Sequence, residues 1–134
     1  MALFNAIDTA ASGVTVYRKW LDAVSDNVAN VNTARRTSED AFQARYVIAQ
    51  AREYGSGTGG VQVGGIALGN REGRIVHDPE NPLADADGNV RMPDIDMSSQ
   101  MTQMIMAQRG YQANLATVER AQEAYRQAIQ IGKG

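Results

Sequence analysis

Residues 2–32 read ALFNAIDTAASGVTVYRKWLDAVSDNVANVN, and their apolar positions recur in alternating steps of four and three: Leu3, Ile7, Ala10, Val14, Tyr17, Leu21, Val24, Val28 and Val31. Such steps keep one side chain after another on a single helical face, the mark of a heptad stripe. The spacing predicts one helix from Ala2 to about Asn32, on the order of 45 Å long. Gly13 interrupts it. A glycine inside a helix costs about 1 kcal/mol relative to alanine, so this one marks a close contact, a bend or a tolerated break.

The other end repeats the device. Met97, Met104, Tyr111, Val118 and Tyr125 are spaced by sevens, and Met101, Gln108, Leu115, Gln122 and Ile129 form a second row offset by four and three. Together they make one seam. Asp96, with Ser98 and Ser99 after it, can accept from the first free N–H groups, and Gly132 supplies a stop, which predicts a helix from about Met97 to Ile131. Gly110 interrupts this helix as Gly13 interrupts the first.

Between the helices, from Thr33 to Pro93, lie most of the glycine and all three prolines. Phe42 to Tyr54, Val61 to Leu68 and Arg74 to His77 read as two to four short strands, and Asp78 to Asn89 is dense in turn formers and reads as an ordered loop. The fold class is therefore α+β: an N-terminal assembly helix (1–33), a small β-rich middle with a Pro/Gly loop (34–94) and a C-terminal assembly helix (95–134), the two helices packed as an antiparallel, coiled-coil-like hairpin. The middle is too small to cover two such helices. They must cover each other, and one hairpin still leaves apolar stripe exposed, which implies partners.

Composition narrows the functions. With 134 residues, 43% hydrophobic and 21% charged, the chain can form one domain with a modest core or an elongated subunit completed by its neighbours, and is no large multi-domain enzyme. A net charge of -2 offers no basic field for nucleic acid or a membrane surface. Having no cysteine, it can carry no disulfide, thiolate metal site or cysteine nucleophile. No Lys or Arg precedes Arg18 and no apolar run follows the start, so no cleaved secretory signal is expected. Passage out of the cytoplasm would need a route that reads an uncleaved N-terminus.

Five features invite a chemical reading, and each has a plainer one. Gly55-Ser56-Gly57-Thr58-Gly59-Gly60 has the spacing of a dinucleotide loop, but strand-like Val61-Gln62-Val63 follows where a helix is required, so it reads as a turn. Asp85-Ala86-Asp87-Gly88-Asn89 resembles a calcium loop, yet its glycine comes two positions early and no bidentate glutamate follows. His77 has no second histidine or cysteine for zinc. Asp94 and Asp96 would suit glycoside hydrolysis of a cell wall, but two acids at the foot of a helix are explained by capping and the helix dipole. Met97, Met101, Met104 and Met106 read as helix packing before an adaptable binding face. No catalytic, metal or cofactor site and no small-molecule substrate is expected. Asn27, Asn30 and Asn32 are poor helix formers, and they either end the helix or bond a neighbouring backbone in an assembly.

These asparagines carry a resemblance. Leu21-Asp22-Ala23-Val24-Ser25-Asp26-Asn27-Val28-Ala29-Asn30-Val31-Asn32-Thr33 resembles the N-terminal signature of the flagellar rod and hook proteins, a helix ending in Asn-x-x-Asn-x-x-Thr. Asn81-Pro82-Leu83-Ala84-Asp85-Ala86-Asp87-Gly88-Asn89-Val90, Met92-Pro93-Asp94-Ile95-Asp96, Met101, Met104-Ile105, Arg109 and Tyr111-Gln112-Ala113-Asn114 are similar to the proximal-rod members of that superfamily. The family commonly has asparagine where Asp94 stands and glutamate where Gln100 stands, and residues 33–50 match only loosely.

The resemblance implies a structural subunit exported through the flagellar type III apparatus and assembled helically into the basal-body rod, outside the cytoplasmic membrane, to transmit torque. Its partners would be copies of itself, other rod proteins, the basal-body base and, during secretion, the export apparatus. Phe42-Gln43-Ala44-Arg45-Tyr46 loosely matches an aromatic-x-x-x-hydrophobic motif read at the export gate, a weak signal beside the plainer reading of a strand with two buried aromatics. The alternatives are another axial component of the same superfamily and, from a different class, a wall-acting enzyme.

Overall fold

A computed structural model describes residues 2–55 and 58–134. Two helices, α1 (Ala2–Asn30) and α2 (Met97–Gly132), enclose four strands: β1 (Arg45–Tyr54), β2 (Thr58–Leu68), β3 (Arg74–His77) and β4 (Asn89–Met92). The architecture is α+β, with the helices at the chain ends and two small antiparallel sheets between them. Of the six residues with dinucleotide-loop spacing, Ser56 and Gly57 lie outside the described residues, and the segment after them is strand β2.

The helices run antiparallel, with 29 residues in α1 and 36 in α2, about 45 Å and about 55 Å. Asp96 caps α2, its Oδ2 accepting from the N–H of Ser99 at 2.8 Å. At the far end the helix runs through Gly132, and the N–H of Lys133 returns to the carbonyls of Gln130 and Ile131. α1 stops at Asn30, two residues earlier than its apolar spacing suggests, and Val31 and Asn32 form a turn.

α1 lies between two partners, packing on α2 and on the ribbon formed by β1 and β2. The ribbon pairs Arg45 with Leu68 at its base and Tyr54 with Thr58 at its tip. Its register shifts between Ile48 and Ala49, which face Gly65 and Val63 and leave Gly64 as the extra residue of a bulge. β3 and β4 form a second, short ladder from Arg74–Met92 to His77–Asn89.

The core sits at the closed end of the hairpin. Val31 after α1, Ala44 before β1 and Ile95 before α2 pack together, with Phe42 against them. Val90 and Pro93 are buried nearby. The backbones of Arg35 and Arg91 bond each other both ways at 2.8 Å, and the Arg91 guanidinium donates to the carbonyls of Thr37 and Glu72. One arginine thereby ties three passes of the middle segment to each other. Of the two aromatics expected to be buried in a strand, Phe42 precedes β1 and is half-buried, while Tyr46 lies in β1 and is exposed. The ribbon has only α1 to cover it, which leaves its other side open.

Candidate assembly surface

The contacts that hold α1 to α2 combine glycine and alanine with amide and aromatic side chains. A Cβ placed on Gly13 would stand 2.7 Å from Asn114 Oδ1, and one placed on Gly110 would overlap the Tyr17 ring. Each glycine therefore lets a side chain of the opposite helix reach the backbone. Further along, Trp20 stacks on Tyr17 with ring centroids 5.9 Å apart and donates from its indole nitrogen to Gln103 Oε1 at 3.3 Å. Ala107 is fully buried, and Phe4 meets Tyr125 edge-on at 5.4 Å near the open end.

Among the described residues Asn27 is a fully enclosed polar group, with 0% exposure. Its Oδ1 accepts from the N–H of Arg45 at 2.8 Å, and its Nδ2 donates to the carbonyl of Arg45 at 3.0 Å and to Gln100 Oε1 at 2.9 Å. This one amide joins α1, β1 and α2. Arg45 adds an exposed ion pair with Asp26 at 2.7 Å. Asn30 closes the helix end, donating to the carbonyl of Asp26 and accepting from Thr33 Oγ1 at 3.1 Å. Asn32 is exposed. Asn30 thus stands at the end of the helix, and the backbone that Asn27 bonds is that of its own chain rather than a neighbour's.

The middle loop is organised by its carboxylates and amides. Asn81 makes a tight turn, accepting from the N–H of Leu83 and donating to Asp78 Oδ2 at 3.1 Å each; Pro82 is exposed. Asp85 Oδ1 accepts from the N–H groups of Asp87 and Asn89, and its Oδ2 accepts from Thr37 Oγ1. The hydrogen bond from the Asn89 backbone lowers its pKa most, with the Thr37 hydroxyl, the Asp87 N–H and nearby His77 acting in the same direction against desolvation. His77 Nδ1 lies 3.3 Å from Asn89 Oδ1. Among the described residues no three metal-ligating side chains converge.

The expected heptad stripes lie to one side of the observed seam. In α1, Val24 and Ala10 are buried, as is Val31 in the turn after it, while Leu3, Ile7, Val14, Tyr17, Leu21 and Val28 are half-buried. In α2, Met104, Tyr111 and Val118 are half-buried, whereas Met97, Met101, Leu115, Tyr125 and Ile129 are exposed. The buried positions of α2 are Gln100 and Ala107, flanked by Gln103, Gly110 and Asn114, a row rotated by roughly a quarter turn from the methionine and tyrosine rows. Because the helices are antiparallel and both stripes are rotated in the same sense, the stripes turn to one side of the hairpin. Phe4, Ile7, Gln122, Tyr125, Arg126 and Ile129 there line an open groove of about 480 Å³. Arg109, Gln112 and Ala113 are exposed on α2, and Asn114 turns inward, its Nδ2 bonding the carbonyl of Gly110.

Such an arrangement suits association: a preformed hairpin with a long apolar face that its own chain leaves uncovered. The comparisons agree. Flagellar basal-body rod protein FlgC of Yersinia enterocolitica is 34% identical over 134 residues, covering 99% of this chain and 100% of its own length. FlgC of Escherichia coli O157:H7 is 31% identical over the same span. The chain belongs to the FlgC family of flagellar basal-body rod proteins. FlgC of Bacillus subtilis strain 168 is a more distant relative, 28% identical over 150 residues and again covering 99% of this chain. The family model described as flagellar basal body rod FlgEFG protein C-terminal matches residues 86–131, that is, β4, the foot of the hairpin and nearly all of α2. No helix among the described residues is long and apolar enough to cross a membrane.

Three seam residues of this FlgC-family chain had no signature in the sequence. Gln100, Gln103 and Ala107 are spaced by three and four outside the two apolar rows, and none of them is both large and apolar. The available signals were indirect: Gly13 and Gly110, each interrupting a long helix, and Asn114 inside the family motif.

Proposed function

We propose that this chain is a structural subunit of the flagellar basal-body rod and acts by assembly, without catalysis. The observation that carries the reading is the uncovered face formed jointly by α1 and α2, in a chain that its rod-protein relatives match from end to end. Heterologous contacts between like subunits that do not close on themselves generate a helical tube. The half-buried and exposed stripe residues, Leu3, Ile7, Val14, Leu21 and Val28 with Met97, Met101, Met104, Tyr111, Leu115, Val118, Tyr125 and Ile129, supply those contacts. The partners are copies of this chain and other rod components, the base is its anchor, and delivery is through the flagellar export apparatus before folding. The terminal helices are the assembly elements, and the middle segment joins and spaces them.

Basal bodies isolated from the source cells test this. The chain is expected in the rod by mass spectrometry and antibody labelling, and deletion of its gene should abolish motility. Purified chain should leave peptidoglycan intact. Normal rods in the deletion strain would overturn the reading.

A further inference from the structure

The β1–β2 ribbon has two edges, and α1 holds one end of each. At the base, Asn27 takes both the N–H and the C=O of Arg45, so Arg45 faces outward from β1. At the tip, the N–H of Val61 donates to Ser12 Oγ at 3.0 Å and the C=O of Gly59 accepts from Thr9 Oγ1 at 2.6 Å, so both face outward from β2. Outward-facing residues alternate along a strand. The remaining outer groups of β1 therefore belong to Val47, Ala49, Ala51 and Glu53. Those of β2 belong to Val63, Ile66 and Leu68, the bulge at Gly64 shifting the alternation by one. Among the described residues no further hydrogen bond reaches these groups.

The free halves lie diagonally: the tip half of β1 and the base half of β2. Neither strand contains proline. Ile66 and Leu68 are 48% and 59% exposed, and Ala49 and Ala51 are exposed beside the other free half. Unpaired strand edges with this character are templates for another strand.

We propose that the base half of β2 in one copy pairs antiparallel with the tip half of β1 in a second copy, so that the ribbon continues from subunit to subunit. The inference rests on the rod-subunit reading above. Orientation favours this pairing. β2 against a neighbour's β1 continues the up-and-down alternation and leaves both copies pointing the same way, as a polar rod requires. β1 against β1, or β2 against β2, would relate the copies by a two-fold axis and point them in opposite directions. The diagonal adds a second constraint. Copies at equal height would set Leu68 against Arg45, whose N–H and C=O Asn27 already holds. An offset of about two to four residues along the ribbon, roughly 7–13 Å, sets all three free residues of β2 against free residues of β1. A staggered lateral contact of this kind winds into a helix and cannot close as a flat ring.

The chain has no cysteine, so paired cysteines read the contact directly. Ile66→Cys would be combined with Ala49→Cys or with Ala51→Cys, the alternatives covering the two ends of the offset. Within one copy Ala51 faces Val61, Ala49 faces Val63 and Ile66 faces Val47, so Ile66 lies about 13 Å along the ribbon from Ala51 and diagonally about 8 Å from Ala49, both beyond unstrained disulfide reach. Oxidised rods are expected to give a ladder of disulfide-linked multimers of this chain from at least one pair, and none from the single-cysteine chains, which enter rods equally.

Ala51→Pro removes one outward N–H and leaves the β1–β2 ladder bonded. It should be exported yet depleted at least tenfold from rods, while Ala51→Ser assembles normally. Rods that contain both double-cysteine chains and give no multimers would overturn the pairing, as would normal incorporation of Ala51→Pro. Absence of the unsubstituted chain from rods would instead overturn the rod reading itself.

Discussion

The ring of Tyr17 lies against the backbone of Gly110, and the amide of Asn114 lies against the backbone of Gly13, so each helix presents a glycine and, four residues later, the side chain that fills the glycine of the other. This reciprocal pair fixes the register of the hairpin by the close approach of one ring and one amide to the opposite backbone.

The first prediction follows directly. Gly110→Ala puts a methyl group into the Tyr17 ring, and overpacking of this kind costs about 1–3 kcal/mol. Rod formation should fall, and Tyr17→Ala in the same chain should restore part of it. The share of basal bodies with complete rods, counted by electron microscopy, measures both. Equal loss in the single and double variants would mean that the ring and the glycine are not coupled.

A second concerns Asn27. Its replacement by alanine leaves the N–H and C=O of Arg45 and Gln100 Oε1 without their partner in an enclosed site, a loss of about 2–4 kcal/mol. Asn27→Asp should be no milder, because a carboxylate accepts from the Arg45 N–H but faces two further acceptors. Hydrogen exchange at the Arg45 amide should accelerate in both variants, and unchanged protection would remove Asn27 as the junction.

The third tests the uncovered face. Val118→Asp places a carboxylate on a half-buried stripe position, where desolvation by a neighbour costs several kcal/mol or forces protonation, on the order of 2–5 kcal/mol either way. The variant should be exported and then be missing from purified basal bodies, giving non-motile cells. Gln122→Glu at the exposed edge should be mild. Normal swimming with Val118→Asp would sink the stripe as an assembly surface, and retention in the cytoplasm would tie the same face to export.

Acid should loosen the middle loop through Asp85. Its carboxyl is held below its ordinary value chiefly by the Asn89 N–H, so the ionised form is favoured in the folded state. Its contribution is fully present above the ordinary aspartate value and is lost as pH falls through the lowered folded value. The Asp87 amide shift should report the carboxyl and change only in acid stronger than that which titrates an ordinary aspartate. Asp85→Asn should remove that titration. Added calcium or a chelator should leave the melting temperature unchanged, and a chelator-sensitive melt would reopen the metal reading of Asp85 and Asp87.

The helices were legible because heptad spacing is a strong local signal, and Asp96 announced the start of α2. Their facing was not. A stripe of Leu3, Ile7, Met104 and Tyr111 looks like the inside of a hairpin when only one chain is considered, yet the chain turns smaller residues inward and leaves the larger ones to one side. Sequence periodicity registers that a face is apolar without registering whose surface covers it. Gln100 and Gln103 escaped notice for the complementary reason, since a buried amide that is satisfied by Asn27 or Trp20 has the same letter as a solvated one. The strands of the middle were placed by β-branched residues and glycine punctuation, but which half of each ribbon edge stays free depends on Asn27 and Ser12, 18 and 49 positions away from the backbones they bond.

Trp20 is the sole tryptophan in the chain, and it sits on the hairpin seam with its indole stacked on Tyr17 and bonded to Gln103. The protein therefore carries its own optical gauge. Emission from this one fluorophore should be blue-shifted and resistant to iodide quenching when the helices are closed, and red-shifted and quenchable when they part. The moment at which an arriving subunit locks into shape can thus be followed by light alone, without a dye attached anywhere on its surface.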